Sequence, residues 1–489
     1  MVGRKCHAIV PSSPPLPTLE IDDKRCPLVE IKTDGDLILD VSFRTGQDCS
    51  KSIPRDALRL LRADKSAFPS PRILYRVKSS ILAKNSEYFR LLLGPQFSEG
   101  IALAKRTEQL AEARVQPAQV EASKIPRISI VDEDFTTKTV GRENIFADLL
   151  RIVHGLEPAT KPFTTQCWTV LALMADNYDL VPSISSRCQK LVVRHKYVVT
   201  PDRAGEEILR QKILILYHLE KGPHFSAATR EKIKAATYSE ATGARSHLKA
   251  QGAWWDIPYG IESEISYRRI CVLRTIASIQ TQFLQLYSSR DIQCRLGYDS
   301  SPSCDSFQLG EMVKFLSRKN LIFLVSFLPE LHEDSNLKWL EAYTGEIDFL
   351  IEELRQCPSY QLDRNHTHCG LRTRLLPALD YIKTCMDTGL GISLTHTRAA
   401  HSRSRFMSWQ SPSPTTQPTR PTWIDTNNQN MSLPGEDSRC FRFALVKSQL
   451  ALGVKNSDPV ELFTAQSWDW NTDCKISNER LGKAFGVMR

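Results

Sequence analysis

An α+β chain is what the sequence predicts: a small N-terminal sheet with helices, a mostly α-helical domain, and a disordered tail. Three observations lead there. Apolar residues alternate with period two in a few segments of the first 135 residues, and each segment hands over to helical spacing. Beyond residue 200 helical spacing stands alone. From about residue 391 the chain turns Ser-, Pro- and Thr-rich and loses its pattern. A length of 489 residues suits two to three domains. The expected divisions are a disordered segment at 1–30, an α/β domain at 31–195 with insertions near 45–70 and 101–124, a helical domain at 200–390, and a low-complexity tail at 391–489.

Residues 1–30 are rich in Pro, Ser and charge. "GDLILDVSF" (35–43) places apolar side chains at 37, 39, 41 and 43 and predicts a strand; "RILYRV" predicts a second, across an insertion. In "SSILAKNSEYFRLLLGPQFSEG", Leu82, Ser86, Phe89 and Leu93 share one face of a predicted helix over 80–93. A small Ser in that apolar stripe is unusual, and the "GPQFSEG" turn that follows carries Phe97. Residues 102–123, with little apolar periodicity, predict a solvated loop or marginal helix. "IPRISIVDED" (125–134) predicts a third strand. "ENIFADLLRIVHGL" and "TTQCWTVLALMADNYDLV" then predict helices, the second capped by Thr164 or Thr165. Ile184, Cys188 and Leu191 mark one more.

In the second half, Ile265, Val272, Ile276, Ile279, Phe283 and Leu286 form one stripe. A helix over 262–289 would be roughly 40 Å long. Further helices are predicted at 307–318, 320–330, 336–356 with Ser335 as cap, and 371–388 closed by Gly389. No repeat period emerges.

Composition narrows the function classes. Hydrophobic content of 41% and charged content of 24% are ordinary for a soluble globular protein, and no run approaches the 18 apolar residues of a membrane span. The N-terminal stretch has no long apolar signal core, which predicts no secretion. Thirteen scattered cysteines predict a reducing, intracellular compartment, nucleus or cytoplasm. Net charge is +9, from 64 basic and 55 acidic residues, with no run of five Lys/Arg; neither nucleic acid nor membrane is an expected partner.

The pieces "GDLILDV", "YRVKSSILAKNSEYFRLLLGPQFSEG", "ISIVDED", "FADLLRIVHG" and "LMADNYDLV" resemble, in order, those of a BTB/POZ domain. The family pattern has a small residue where Ser86 stands, letting neighbouring helices approach closely. Lys78 stands where many members have His, and no leucine-rich opening strand precedes residue 31. "WWDIPYGIESEISYRRICVLRTIASIQTQFLQLY", "QCRLGYDSSPSCDSFQLGEMVKFL" and "CPSYQLDRNHTHCGLRTRLLPALDYI" are similar to the C-terminal region of a group of fungal BTB proteins that has no transferable activity. The resemblance implies a protein-interaction module that associates with itself or with a partner chain. Either an adaptor to a cullin-type ubiquitin ligase or an assembly factor of a nuclear complex would fit. Leu82, Phe89, Leu93 and Phe97 are its expected contact residues.

Chemistry-bearing residues are few. Cys294, Cys304, Cys357, His366, His368 and Cys369 are candidate ligands of a structural zinc, because zinc takes thiolate and imidazole donors in fours. Reduced cysteines packed as small hydrophobes are the competing reading. Asp305 and Glu311 read as helix-dipole compensation, His154 in "RIVHGL" as a core or cap histidine, and Trp254–Trp255 as packing between subdomains, with a recognition hot spot as the alternative. No Walker loop, GxGxxG, HExxH or nucleophile elbow occurs. The expectation is therefore a non-enzymatic interaction protein. Its rivals are a zinc-dependent or thiol enzyme in the helical half, and a transcriptional regulator.

Overall fold

The computed structural model describes residues 17–21, 24–45, 71–113, 115, 119–134, 141–160, 163–238, 253–255, 257, 260–294, 301–325, 340, 342–364, 366, 369–395 and 397. The insertion expected at 45–70 lies outside them, except for residue 45 at its start, and so does nearly all of the tail. The chain divides near residue 196 into two compact units, with Ala253–Trp255 grouped with the first.

The first unit is a mixed five-stranded sheet flanked by helices. Its strands are β1 (Thr18–Ile21), β2 (Lys24–Glu30), β3 (Leu37–Thr45), β4 (Arg72–Val77) and β5 (Arg127–Asp134), in the order β1-β2-β4-β3-β5. β3 pairs antiparallel with β4 (Leu39 opposite Tyr75) and parallel with β5 (Leu39 beside Ile128). β2 runs parallel to β4, and β1 antiparallel to β2. Residues 18–21 and 24–30 are thus strands, not the expected disordered segment. Alternation of Cys26 and Leu28, both buried, outweighs the local Pro and charge.

β3 is buried on both faces, because it lies between β4 and β5 with helices on either side. Leu37, Leu39, Val41 and Phe43 form one face; Ile38 and Asp40 are buried on the other. Asp40 there accepts a two-pronged bond from Arg72, at 2.8 and 2.7 Å.

The expected single helix over 80–93 is two, α1 (Ser79–Asn85) and α2 (Glu87–Leu92), broken at Ser86, whose backbone is extended. Ser86 closes α1 by donating its N–H to the Leu82 carbonyl at 3.0 Å. Its hydroxyl caps α2 by accepting from the Phe89 N–H at 3.0 Å, and donates to the Tyr178 carbonyl at 2.7 Å. That is why a small polar residue interrupts the stripe. Of the solvated loop or marginal helix expected at 102–123, the first half is helix, α3 (Ser98–Glu112). Its Leu110, with Val120, Ala122 and Ile125, packs on Cys26, Leu28, Ile38 and Leu74 and covers one face of the sheet.

The other face is covered by α4 (Arg142–Val153), whose Phe146 contacts Phe43, Tyr75 and Tyr178 at ring-centroid distances of 5.8, 5.2 and 5.4 Å. α5 (Thr165–Asn177), capped by Thr164, and α6 (Val181–Arg194) complete the unit.

The second unit is helical among its described residues: α7 (Arg203–His218), α8 (Gly222–Lys234), α9 (Ile261–Ser288), α10 (Pro302–Arg318), α11 (Ile347–Arg355) and α12 (Leu371–Gly389). Ile265, Val272, Ile276, Ile279 and Phe283 bury the expected stripe of α9; the Leu286 side chain lies outside the described residues. α9 also buries Arg268 and Arg269, which work as clamps. Arg268 donates to the carbonyls of Leu390 and Gly391, and Arg269 to those of Ile233, Ala235, Tyr343 and Gly345. Of the helix expected at 336–356, Leu340 is helical, residues 342–346 are not, and Ile347–Arg355 forms α11; 336–339 and 341 lie outside the described residues. Of the one expected at 320–330, Ile322–Leu324 is a single 3₁₀ turn and 326–330 lie outside the described residues.

Candidate metal centre

Four ligand-type side chains of the second unit converge in its interior. Cys294 follows α9, Cys304 lies in the first turn of α10, and His366 and Cys369 precede α12. Their ligand atoms all lie within 4.8 Å of one another. Cys294 Sγ stands 3.4 Å from His366 Nδ1 and 3.7 Å from Cys369 Sγ, and Cys369 Sγ is 3.7 Å from the same nitrogen. All four residues are buried, with exposures from 0% at Cys304 to 9% at Cys294.

Local chemistry brings them together. Asp305, one residue after Cys304, accepts the Gln293 N–H at 2.7 Å and so draws Cys294 to the start of α10. The buried Asp305 carboxylate therefore does more than the dipole compensation expected of it, whereas Glu311 pairs with Lys314 at 2.8 Å. Two successive turns, His366 N–H to the Asp363 carbonyl and Cys369 N–H to the His366 carbonyl, put His366 and Cys369 on one side of the chain. Gln308 of α10 then fastens that segment at both ends. It donates to the Tyr360 carbonyl at 3.0 Å and accepts the Leu371 N–H at 3.2 Å. The Tyr287 hydroxyl donates to the Cys369 carbonyl at 3.3 Å.

The donor set suits a metal ion. Three soft sulfurs and one imidazole nitrogen, closed off from water, could hold one in a four-coordinate cage. While Nδ1 of His366 faces the sulfurs, Nε2 is turned toward the Asp363 carboxylate, whose Oδ2 lies 3.7 Å away, beyond direct hydrogen-bond reach. Burial and the neighbouring Cys369 and Cys294 push the Cys304 thiol well above its ordinary value, so without a cation it stays protonated.

Of the other two expected ligands, one is placed elsewhere and one is not described. Cys357 is buried elsewhere, with its sulfur against the Pro358 carbonyl at 3.7 Å and its thiol pushed up to about 12 by burial. His368 lies outside the described residues. Spacing in sequence cannot separate Cys357 from the others; its position at the end of α11 does.

The expected contact residues of the first unit divide by burial. Leu82 and Phe89 are fully buried and belong to the core, which corrects their assignment as contact residues. Leu93 is half-buried. Phe97 is exposed, and so are Tyr88, Leu91 and Ile101, which helical periodicity did not single out. His154 is buried, accepting the Lys78 N–H on Nε2 at 3.1 Å and donating from Nδ1 to the Leu150 carbonyl at 2.7 Å. Trp254 and Trp255 are both buried. No helix among the described residues is long and apolar enough to cross a membrane. Compared with protein families, curated proteins and solved structures, the chain matches none.

Proposed function

We propose that this chain is an intracellular protein-interaction protein of BTB/POZ type, not an enzyme. The observation that carries the reading is the order of elements in the first unit. The five segments that carry the resemblance fall consecutively on β3, on β4 with α1, α2 and the start of α3, on β5, on α4 and on α5, around one core. The binding surface is the exposed apolar set at α2 and the start of α3: Tyr88, Leu91, Phe97 and Ile101. Its partner is a second copy or another protein chain, with the cullin scaffold of a ubiquitin ligase first among them and a nuclear assembly the alternative.

The metal of the second unit is a structural zinc in the same reading. Tetrahedral Zn²⁺ with Zn–S of about 2.3 Å and Zn–N of about 2.0 Å has S···S edges of roughly 3.8 Å and S···N edges of roughly 3.5 Å. The separations of 3.7 and 3.4 Å are close to those edges. Four protein donors leave no position for water or substrate, and this favours a structural over a catalytic metal.

Affinity purification with mass spectrometry, on the full chain, a deletion of residues 31–195 and Phe97→Glu, tests the proposal. Recovery of cullin or other ligase subunits that vanish with the deletion and weaken with Phe97→Glu supports it. Partners that persist without residues 31–195 would move binding to the helical half.

A further inference from the structure

We infer that the Cys294–Cys304–His366–Cys369 centre is a peroxide-responsive switch, in which oxidation joins Cys294 to Cys369 and expels the metal. The inference rests on the zinc reading. A zinc ion holds its cysteine ligands as thiolates, the form of sulfur that peroxide oxidises. Cys294 is the most exposed residue of the four at 9%, which places it nearest the path of a small oxidant. Cys369 Sγ already stands 3.7 Å from it, which a modest shift of two side chains closes to a disulfide bond of about 2.05 Å.

The step balances with hydrogen peroxide as the oxidant. The Cys294 thiolate attacks one peroxide oxygen; the O–O bond breaks, leaving a sulfenic acid, and the departing hydroxide takes a proton to become water. The Cys369 thiolate then attacks the Cys294 sulfur and expels a second hydroxide, which takes a second proton. Two thiolates lose two electrons, and the peroxide takes them up with two protons. Only Cys304 and His366 remain as donors, half of a four-coordinate site. The metal cross-link between the end of α9, the first turn of α10 and the segment before α12 is then gone.

The test uses full-length protein whose zinc content has first been measured, treated with excess hydrogen peroxide beside a colorimetric zinc chelator and mapped by non-reducing peptide mass spectrometry. The expected result is release of about one zinc per chain, a Cys294–Cys369 linked peptide, and recovery of zinc content with dithiothreitol and added Zn²⁺. Absence of zinc at the outset removes the zinc reading and the switch with it. Zinc that is present but retained, while half-exposed Cys167 is oxidised, overturns the switch alone. Release with sulfinic acids and no linked peptide overturns it too.

Discussion

Ser86 acts on three backbone groups from one position: its N–H closes α1, and its hydroxyl caps α2 and reaches the Tyr178 carbonyl. Ser86→Ala removes the cap and leaves a buried carbonyl short of a donor, so it should cost about 1–3 kcal/mol in denaturant unfolding. A variant as stable as the parent would contradict that account. His154 supplies the pH dependence. Burial, opposed by the bond to the Leu150 carbonyl, holds its pKa below the ordinary histidine value, so the native state keeps it neutral. Above the unfolded-state pKa of about 6.5 both states are neutral. As pH falls through that value the unfolded chain takes up a proton that the native chain resists, and stability declines until the lowered native pKa is reached. Unfolding at pH 8 and 5.5 should show a larger loss for the parent than for His154→Gln; equal losses would exclude His154 as the cause.

At the scale of elements, the turn after α2 depends on close approach of backbones. A Cβ at Gly100, in the first turn of α3, would stand 1.9 Å from the Gly94 carbonyl oxygen. Gly100→Ala therefore forces α3 away from that turn and should destabilise the first unit by about 1–3 kcal/mol, measured by its unfolding midpoint. Ala in a helix is otherwise favourable, so a stabilised variant would show that the turn yields freely. α3 read from the sequence only as a loop or marginal helix, because its apolar side is narrow: Leu110 packs with residues 120–125, and most of the rest faces water. α7 and α8 were also not marked as separate helices, because α7 buries Glu206 and Arg210, and α8 buries Lys232, among apolar side chains. Those charges satisfy one another: Arg210 and Lys232 both reach Glu206 Oε1 at 3.0 Å.

For the molecule as a whole, the metal is expected to act as a staple. Bound zinc at a hundredfold excess over its dissociation constant stabilises by about 2.7 kcal/mol. A unit of this size shifts its midpoint by about 2–4 °C per kcal/mol, so chelation should lower thermal stability by about 5–10 °C. An unchanged midpoint on removal of measured zinc would exclude the staple. Cys26, Cys167, Cys188, Cys294, Cys304, Cys357 and Cys369 bear on this prediction, because each is a free thiol and supplies no competing disulfide staple.

Strand alternation at 37–43, 72–77 and 125–134, the long apolar stripe of α9 and the restriction of candidate ligands to a few Cys and His follow from the sequence alone. Each rests on neighbours within a few residues. Which ligands meet was decided only by tertiary structure, since Cys294 and Cys369 lie 75 positions apart and are joined through packing of α9, α10 and the segment before α12. The same reason separates Phe89 from Phe97: both are large apolar residues near one helix. Phe89 stacks on Tyr178, 92 positions after Ser86, and is buried, while Phe97 is left exposed.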